Sequence, residues 1–426
     1  MAAMRRLVDW VKGSGGKVHA AVCMQAGRQG FGLAAGVPVR AGEVLVQLPV
    51  ELQLMQHSDD ARQLTDLIDR VPAELWQAKM ALCLLRQRSK GAQSAFAPYI
   101  DLLPAVHHGV PMFWNGDTLQ LLQYPPLVEQ VKKRSRFLID LSKDIDNAVF
   151  SNQRIDANAL GWALTSVSSR AFRVGRVGGG HVVGARAEEG GKEGGGSGEN
   201  RWALLPLIDM ANHSFSSNAE VLCEMDGSVS LLARRDLAPQ EPVLVNYGNL
   251  SNELLLLDYG FLMDPNPHDR CALSFDMALV TLARQLVKAL PEHHELADTA
   301  PWRQKILESL RLVGAQANLQ VQIGGEEAIE GRLLAALRVL LAPAAEQEAL
   351  EGTSVQELSS WNCRVDPILD ANVTRTAIAL CAIALRCAGK VGLFYTYIWS
   401  LLPQIRGLFD SFAPQLLPHK VGGGSG

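Results

Sequence analysis

The chain has 426 residues, 48% of them hydrophobic and 20% charged, with a net charge of −4. That balance excludes an intrinsically disordered chain and allows two or three globular domains. It also gives no basis for phosphate-driven nucleic-acid binding, because basic runs such as Lys132-Lys133-Arg134 are short and read as a solvated helix face.

The N-terminal MAAMRRLVDWVKGSGG is too short in its apolar part to read as a secretory signal. Gly30-Phe31-Gly32-Leu33 reads as a turn, and Val44 to Leu48 as a strand after Arg40-Ala41-Gly42-Glu43. Pro72 opens a helical stretch with Leu75, Ala78, Leu82 and Leu85 on one face, stopped by Gly91. Further helices are predicted at about 125–150 and 156–170, the second with Leu160, Ala163, Leu164 and Val167 together.

Residues 175–200 hold eleven glycines in 26 positions and almost no large apolar side chains. Such a segment cannot offset its ordering entropy by burial and is expected to be a flexible insertion. No Lys-Ser/Thr pair follows its GGG runs, so it is not a phosphate loop. Strand signals resume at Leu204. Ala219–Met225 and Ser228–Ala233 flank Asp226-Gly227, the signature of a two-residue hairpin turn, and Val243–Val245 is another strand. From about residue 270 the pattern is helical, with runs near 276–290, 302–313, 327–342, 374–388 and 393–409. The terminal GGGSG at 422–426 is linker-like.

Apolar stretches at 377–385 and 391–402 end at Arg386 and Pro403, too short to span a bilayer. The seven cysteines (23, 83, 223, 271, 363, 381, 387) lie at wide, irregular spacing without a CxxC or Cys/His cluster. They point to reduced thiols in an intracellular or stroma-like compartment and to no structural metal.

Two segments place polar residues inside apolar runs. One is Leu205-Pro206-Leu207-Ile208-Asp209-Met210-Ala211-Asn212-His213-Ser214; the other is Val245-Asn246-Tyr247-Gly248-Asn249-Leu250-Ser251-Asn252-Glu253, continuing to Asp258-Tyr259-Gly260-Phe261. An isolated Asn-His-Ser triplet reads as a turn cap and lone tyrosines as core filling. Here the two segments occur together, and in chain order with Gly30-Phe31-Gly32-Leu33, Ser169-Arg170-Ala171-Phe172 and the C-terminal IGGEEAIEGRLLAALRVLL.

This combination resembles SET-domain protein methyltransferases, and within them the Rubisco large-subunit lysine methyltransferase-like group. The resemblance implies an α+β fold: a β-rich, pseudo-knotted SET core over 1–264 with a helical insert at about 55–200, then an all-helical substrate-binding domain over 265–420. It implies S-adenosylmethionine as methyl donor and a lysine of a partner protein as acceptor. It further implies a plastid protein such as the Rubisco large subunit as a candidate partner, with a location in the chloroplast stroma if the source is a plant or alga and in the cytoplasm otherwise.

The roles implied are as follows. Gly30, Phe31, Gly32 and Leu33 would let the backbone approach the cofactor. Arg170 would pair with its carboxylate. Asn212 and His213 would hold its amino-acid and adenine parts, largely through backbone groups, and Tyr259 would also touch it. Tyr247 would be the catalytic residue, its hydroxyl orienting amine and methyl and its ring attracting cationic charge. Phe172, Tyr259 and Phe261 would line the acceptor channel, with ordinary core packing the competing reading for the two phenylalanines. Two features depart from the family pattern: the glycine-rich insertion after Phe172, and Arg28-Gln29, where some members carry an acidic residue. A protein-histidine methyltransferase and a non-catalytic binding module of the same fold are the alternatives.

Overall fold

The computed structural model describes residues 2–27, 30–56, 62–122, 124–174, 176–177, 180–181, 184–185, 201–287, 301–310, 318–324, 327–342, 350–360 and 362–387. The chain divides into two compact units, one of residues 1–116 and 129–264, the other of residues 117–128 and those from 265 onward. Both units mix helices and strands, and the architecture is α+β.

In the first unit a four-stranded antiparallel sheet runs in the order Lys17–Val18, Val44–Leu48, Val229–Ala233, Ala219–Cys223. Val44–Leu48 falls where its β-branched run predicts, and Leu45, Val46 and Leu48 are wholly buried. Strands Val22–Gly27 and Gly30–Ala35 form a hairpin in which Gly27 faces Gly30. The Gly30–Leu33 segment read as a turn is therefore strand, its glycines lying in an extended ladder. A second sheet runs Leu54–Met55, Arg201–Leu204, Ala171–Val174, Gly184–Ala185. Leu204 closes a strand here instead of opening one.

The helices between Met55 and Ala171 include Trp76–Ser89, Pro125–Lys143 and Ala157–Ser168. Asp156 starts the last of these by accepting the Ala159 N–H at 2.9 Å, which satisfies one of the open donors of the first turn. Residues 160–167 are buried on every side, which is why the one-face reading of this helix is too narrow. It packs against Trp76–Ser89, whose first helical residue follows Leu75; Leu75 is exposed and precedes the helix.

Asp226-Gly227 does form part of a hairpin, but as the end of a longer loop. Cys223 pairs with Val229, and the Gly227 N–H donates to the Glu224 carbonyl. A two-residue type I′ turn needs positive φ at both central residues, and only Gly227 (φ +83°) has it. Within the glycine-rich stretch, Arg176–Val177 pairs with Gly180–His181, and Gly184–Ala185 pairs with Phe172–Arg173. The rest of that stretch lies outside the described residues, as do Arg28-Gln29, the helix predicted at 393–409 and the terminal GGGSG.

The second unit is helical over Met277–Leu286, Pro301–Ser309, Gly331–Leu341 and Pro367–Cys387. It also carries an antiparallel sheet of Arg270–Asp276, Asn318–Gly324 and Glu327–Ile329, which an all-helical reading does not include. The Gly331–Leu341 helix starts four residues later than predicted because Glu327–Ile329 folds back onto the preceding strand. Among the described residues no helix is long and apolar enough to cross a membrane.

Candidate active site

The site grows from a buried turn. Leu207 is a non-glycine residue at φ +75°, wholly buried, a conformation that costs of order 1–3 kcal/mol and persists only where the surroundings impose it. It opens the tight turn Ile208–Met210, closed by the Ala211 N–H donating to the Ile208 carbonyl. The turn aims Asp209 inward, with its side chain 0% exposed.

Arg170, one residue past the C-cap Ser169 of helix Ala157–Ser168, meets this carboxylate. Its Nη1 donates to the Asp209 backbone carbonyl at 3.2 Å and lies 3.7 Å from Asp209 Oδ2. The wholly buried Tyr99 donates its hydroxyl to the same Oδ2 at 2.6 Å. Burial pushes the Asp209 carboxyl up against the pull of Arg170 and the Tyr99 hydrogen bond. Burial also opposes the charge on Arg170, but Asp209, Tyr99 and Tyr247 hold it firmly protonated. His107 stands near this group, its Nε2 2.9 Å from the Ser166 hydroxyl. Desolvation and then Arg170 lower its pKa to about 4, so the ring is neutral at neutral pH.

Asn212–His213 pairs in parallel with Leu244–Val245, which brings the Asn-His-Ser triplet beside Tyr247. The buried His213 accepts the Tyr247 N–H on Nδ1 at 3.1 Å, so its neutral tautomer carries the proton on Nε2. The Tyr247 hydroxyl donates to the Ala211 carbonyl at 2.8 Å. Burial raises its pKa, with Arg170 pulling down and Asp209 pushing up. The phenol therefore stays protonated at neutral pH.

Aromatic rings surround it. Tyr247 stacks on His213 with centroids 5.0 Å apart and on Tyr259 at 5.1 Å; Tyr259 meets Phe261 edge-on at 6.1 Å. Tyr259 ends a π-helical turn, Leu255–Tyr259, in which the Gly260 N–H reaches the Leu255 carbonyl five residues back. Gly260 takes φ +77°, and a Cβ there would lie 2.7 Å from the Gly109 carbonyl carbon, so two backbones touch where only glycine fits. Asp258, on the same turn, is tied to Arg134 at 2.6 Å.

Gly32 and Asn212 are also together: a Cβ on Gly32 would stand 2.3 Å from Asn212 Nδ2. Leu33 is core, Phe31 is 69% exposed, and Phe172, 6% exposed, is core as the alternation of its strand dictates. The geometry thus gathers Gly32, Arg170, Asn212, His213, Tyr247, Tyr259 and Phe261 of the expected residues and places Phe172 in the hydrophobic core. It adds Asp209, which stood unassigned inside the quoted Leu-Pro-Leu-Ile-Asp-Met run, and Tyr99, for which the sequence held no local signal. Among the described residues no cluster of three His, Cys, Asp or Glu side chains could hold a metal ion.

Known proteins agree with this architecture. Structures of the SET domain of LSMT bound to MeLysine and AdoHcy (19% identity, TM-score 0.63) and of Rubisco LSMT bound to AdoMet (18%, 0.62) share the fold, each over 97% of this chain and 93% of theirs. Actin-histidine N-methyltransferases of Xenopus tropicalis and Homo sapiens are each 24% identical over 283 residues, 64% of this chain; the chain spans about half the length of these relatives, 45% and 44%. The profile described as Rubisco LSMT substrate-binding matches residues 294–390. The SET domain profile matches residues 30–248, just over half of the chain, which places every gathered residue except Tyr259 and Phe261 inside the match: the protein belongs to the SET-domain family.

Proposed function

We propose that the protein transfers the methyl group of S-adenosylmethionine to a side-chain nitrogen of a partner protein, with lysine as the acceptor. One observation carries the reading: a protonated Tyr247 hydroxyl, fixed on the Ala211 carbonyl, set between stacked rings and within the field of Arg170. Two others fit the cofactor. Arg170 keeps a buried Nε without a hydrogen-bond partner among the described residues, a donor suited to a carboxylate, and the Gly32 backbone and the Asn212 amide form a cradle that a Cβ would fill.

When bound, the cofactor supplies an electrophilic methyl group on a sulfonium. The chain's own residues do the rest. Arg170 and Asn212 hold the donor, and Tyr247, Tyr259 and Phe261 exclude water and orient the incoming nitrogen. Alignment of this kind supplies much of the barrier reduction in a two-reactant displacement. Free lysine has a pKa of about 10.4, and an aromatic, desolvated channel favours its neutral, nucleophilic form. The region from 265 to 420, with its substrate-binding match, would dock the partner.

Histidine is the second reading, favoured by the names of the relatives at 24% identity. The test is incubation with S-adenosylmethionine and plastid or whole-cell extract, followed by mass spectrometry of the modified site. Methyl-lysine supports the first reading and methyl-histidine the second. No transfer by protein that binds the cofactor overturns both in favour of a binding module.

A further inference from the structure

Two buried groups joined to Arg170 have no part in the transfer as proposed: Asp209 and Tyr99. Asp209 is fully desolvated, and an isolated carboxylate there would be expensive. It is kept by two partners on one oxygen: the Tyr99 hydroxyl at 2.6 Å and Arg170 at 3.7 Å. Its other oxygen, Oδ1, has no hydrogen-bond partner among the described residues. A carboxylate held for stability alone would be better satisfied, since a half-satisfied buried charge is worse than an apolar side chain.

The arrangement has a direction. Tyr99 lies 110 positions from Asp209 in sequence and is wholly buried, so it meets the carboxylate from within the core. Arg170 approaches the same oxygen; its side chain is 21% exposed, Nη1 is occupied by the Asp209 carbonyl, and the buried Nε has no hydrogen-bond partner among the described residues. Tyr99 fixes the carboxylate, the carboxylate and its own carbonyl fix Nη1 of the guanidinium, and the buried Nε keeps a hydrogen bond to give. Guanidinium recognition of a carboxylate is directional, so holding the plane of the fork matters as much as its charge.

We propose that Asp209 and Tyr99 are positioning residues that orient Arg170 toward the carboxylate of the cofactor's amino-acid moiety, making the site selective for nucleosides that carry that moiety. This rests on the assignment of Arg170 to the cofactor. It differs from a packing role in what it makes the site discriminate. Loss of packing weakens every ligand alike; loss of orientation weakens only those bearing the carboxylate.

The experiment compares full-length protein with Tyr99→Phe and Asp209→Asn by calorimetric titration with two probes. One is S-adenosylhomocysteine; the other is 5′-methylthioadenosine, which keeps the adenosine and thioether but lacks the amino-acid group. The expected result for either variant is at least a fivefold weaker Kd for S-adenosylhomocysteine and less than a twofold change for methylthioadenosine. Tyr99→Phe removes one oxygen and keeps the ring, so it serves alone if Asp209→Asn does not fold. Equal weakening of both probes, or no change in either, overturns the proposal. If wild-type protein fails to bind S-adenosylhomocysteine more tightly than methylthioadenosine, the assignment of Arg170 fails instead.

Discussion

Replacing Tyr247 by Phe separates chemistry from packing. Among the described residues the hydroxyl makes one hydrogen bond, to the carbonyl of the wholly buried Ala211, and that carbonyl loses its side-chain donor. A neutral hydrogen bond of this kind contributes about 1 kcal/mol net, which for a unit of this size corresponds to a fall in Tm of about 2–4 °C. The ring contacts with His213 and Tyr259 do not involve the oxygen and remain. Against a total stability of about 5–15 kcal/mol, such a loss leaves the protein almost fully folded, so reduced turnover cannot come from unfolding. If the hydroxyl aligns nitrogen and methyl in the transition state, turnover at saturating cofactor should fall at least tenfold, or about 1.4 kcal/mol of barrier. Cofactor Kd should change less than twofold, because the contact is made mainly in the transition state. The assay is methyl transfer at saturating cofactor beside a titration and a thermal melt of the same variant. Turnover within twofold of wild type would refute the reasoning and move the role to Tyr259.

Arg170→Ala should lower stability by about 3–5 kcal/mol, because it strands the buried Asp209 charge; Arg170→Lys should recover much of the Tm but not the cofactor affinity, as melts and titrations will show. Gly32→Ala puts a methyl 2.3 Å from Asn212 Nδ2 and must displace that amide, so cofactor Kd should rise at least fivefold while far-ultraviolet circular dichroism stays unchanged. His107 has a folded pKa of about 4, below its ordinary 6.5, so the unfolded chain takes up a proton at higher pH than the native one. Its contribution to stability is complete above about pH 6.5 and is lost as pH falls toward 4; denaturant titrations across that window should show the loss, and His107→Gln should flatten it.

Short-range signals are legible along the sequence. Asn212, His213 and Tyr247 are recognisable because polar residues interrupt apolar strands, and interruption is visible locally. Tyr99 was not legible, since a tyrosine in an ordinary helical stretch acquires meaning only from a carboxylate far along the chain. Asp209 was visible, but nothing local distinguishes a capping aspartate from one whose charge is balanced in the core. The sheet of the second unit was missed although its signal was present. Leu319, Val321 and Ile323 alternate with polar residues and are all buried, the period-two pattern of a strand. Phe172 fits the competing reading, core packing, as its place on an alternating strand dictates.

The parallel pairing of Asn212–His213 with Leu244–Val245 has a consequence for how the molecule comes into being. Parallel neighbours cannot be joined by a tight turn, so this contact forms only after the whole Ala219–Ala233 hairpin has been accommodated between them. Gly32, Arg170 and Tyr259 must also arrive from distant stretches of chain, and contacts of such long sequence separation form slowly. Helices Trp76–Ser89 and Ala157–Ser168 need only local order. Refolding should therefore restore helical signal first and ligand binding last, with a nascent chain passing through a shaped but inactive state. Loop-closure entropy grows by only about 0.6 kcal/mol per doubling of length, so lengthening the Glu224–Ser228 loop should delay that last step without abolishing it.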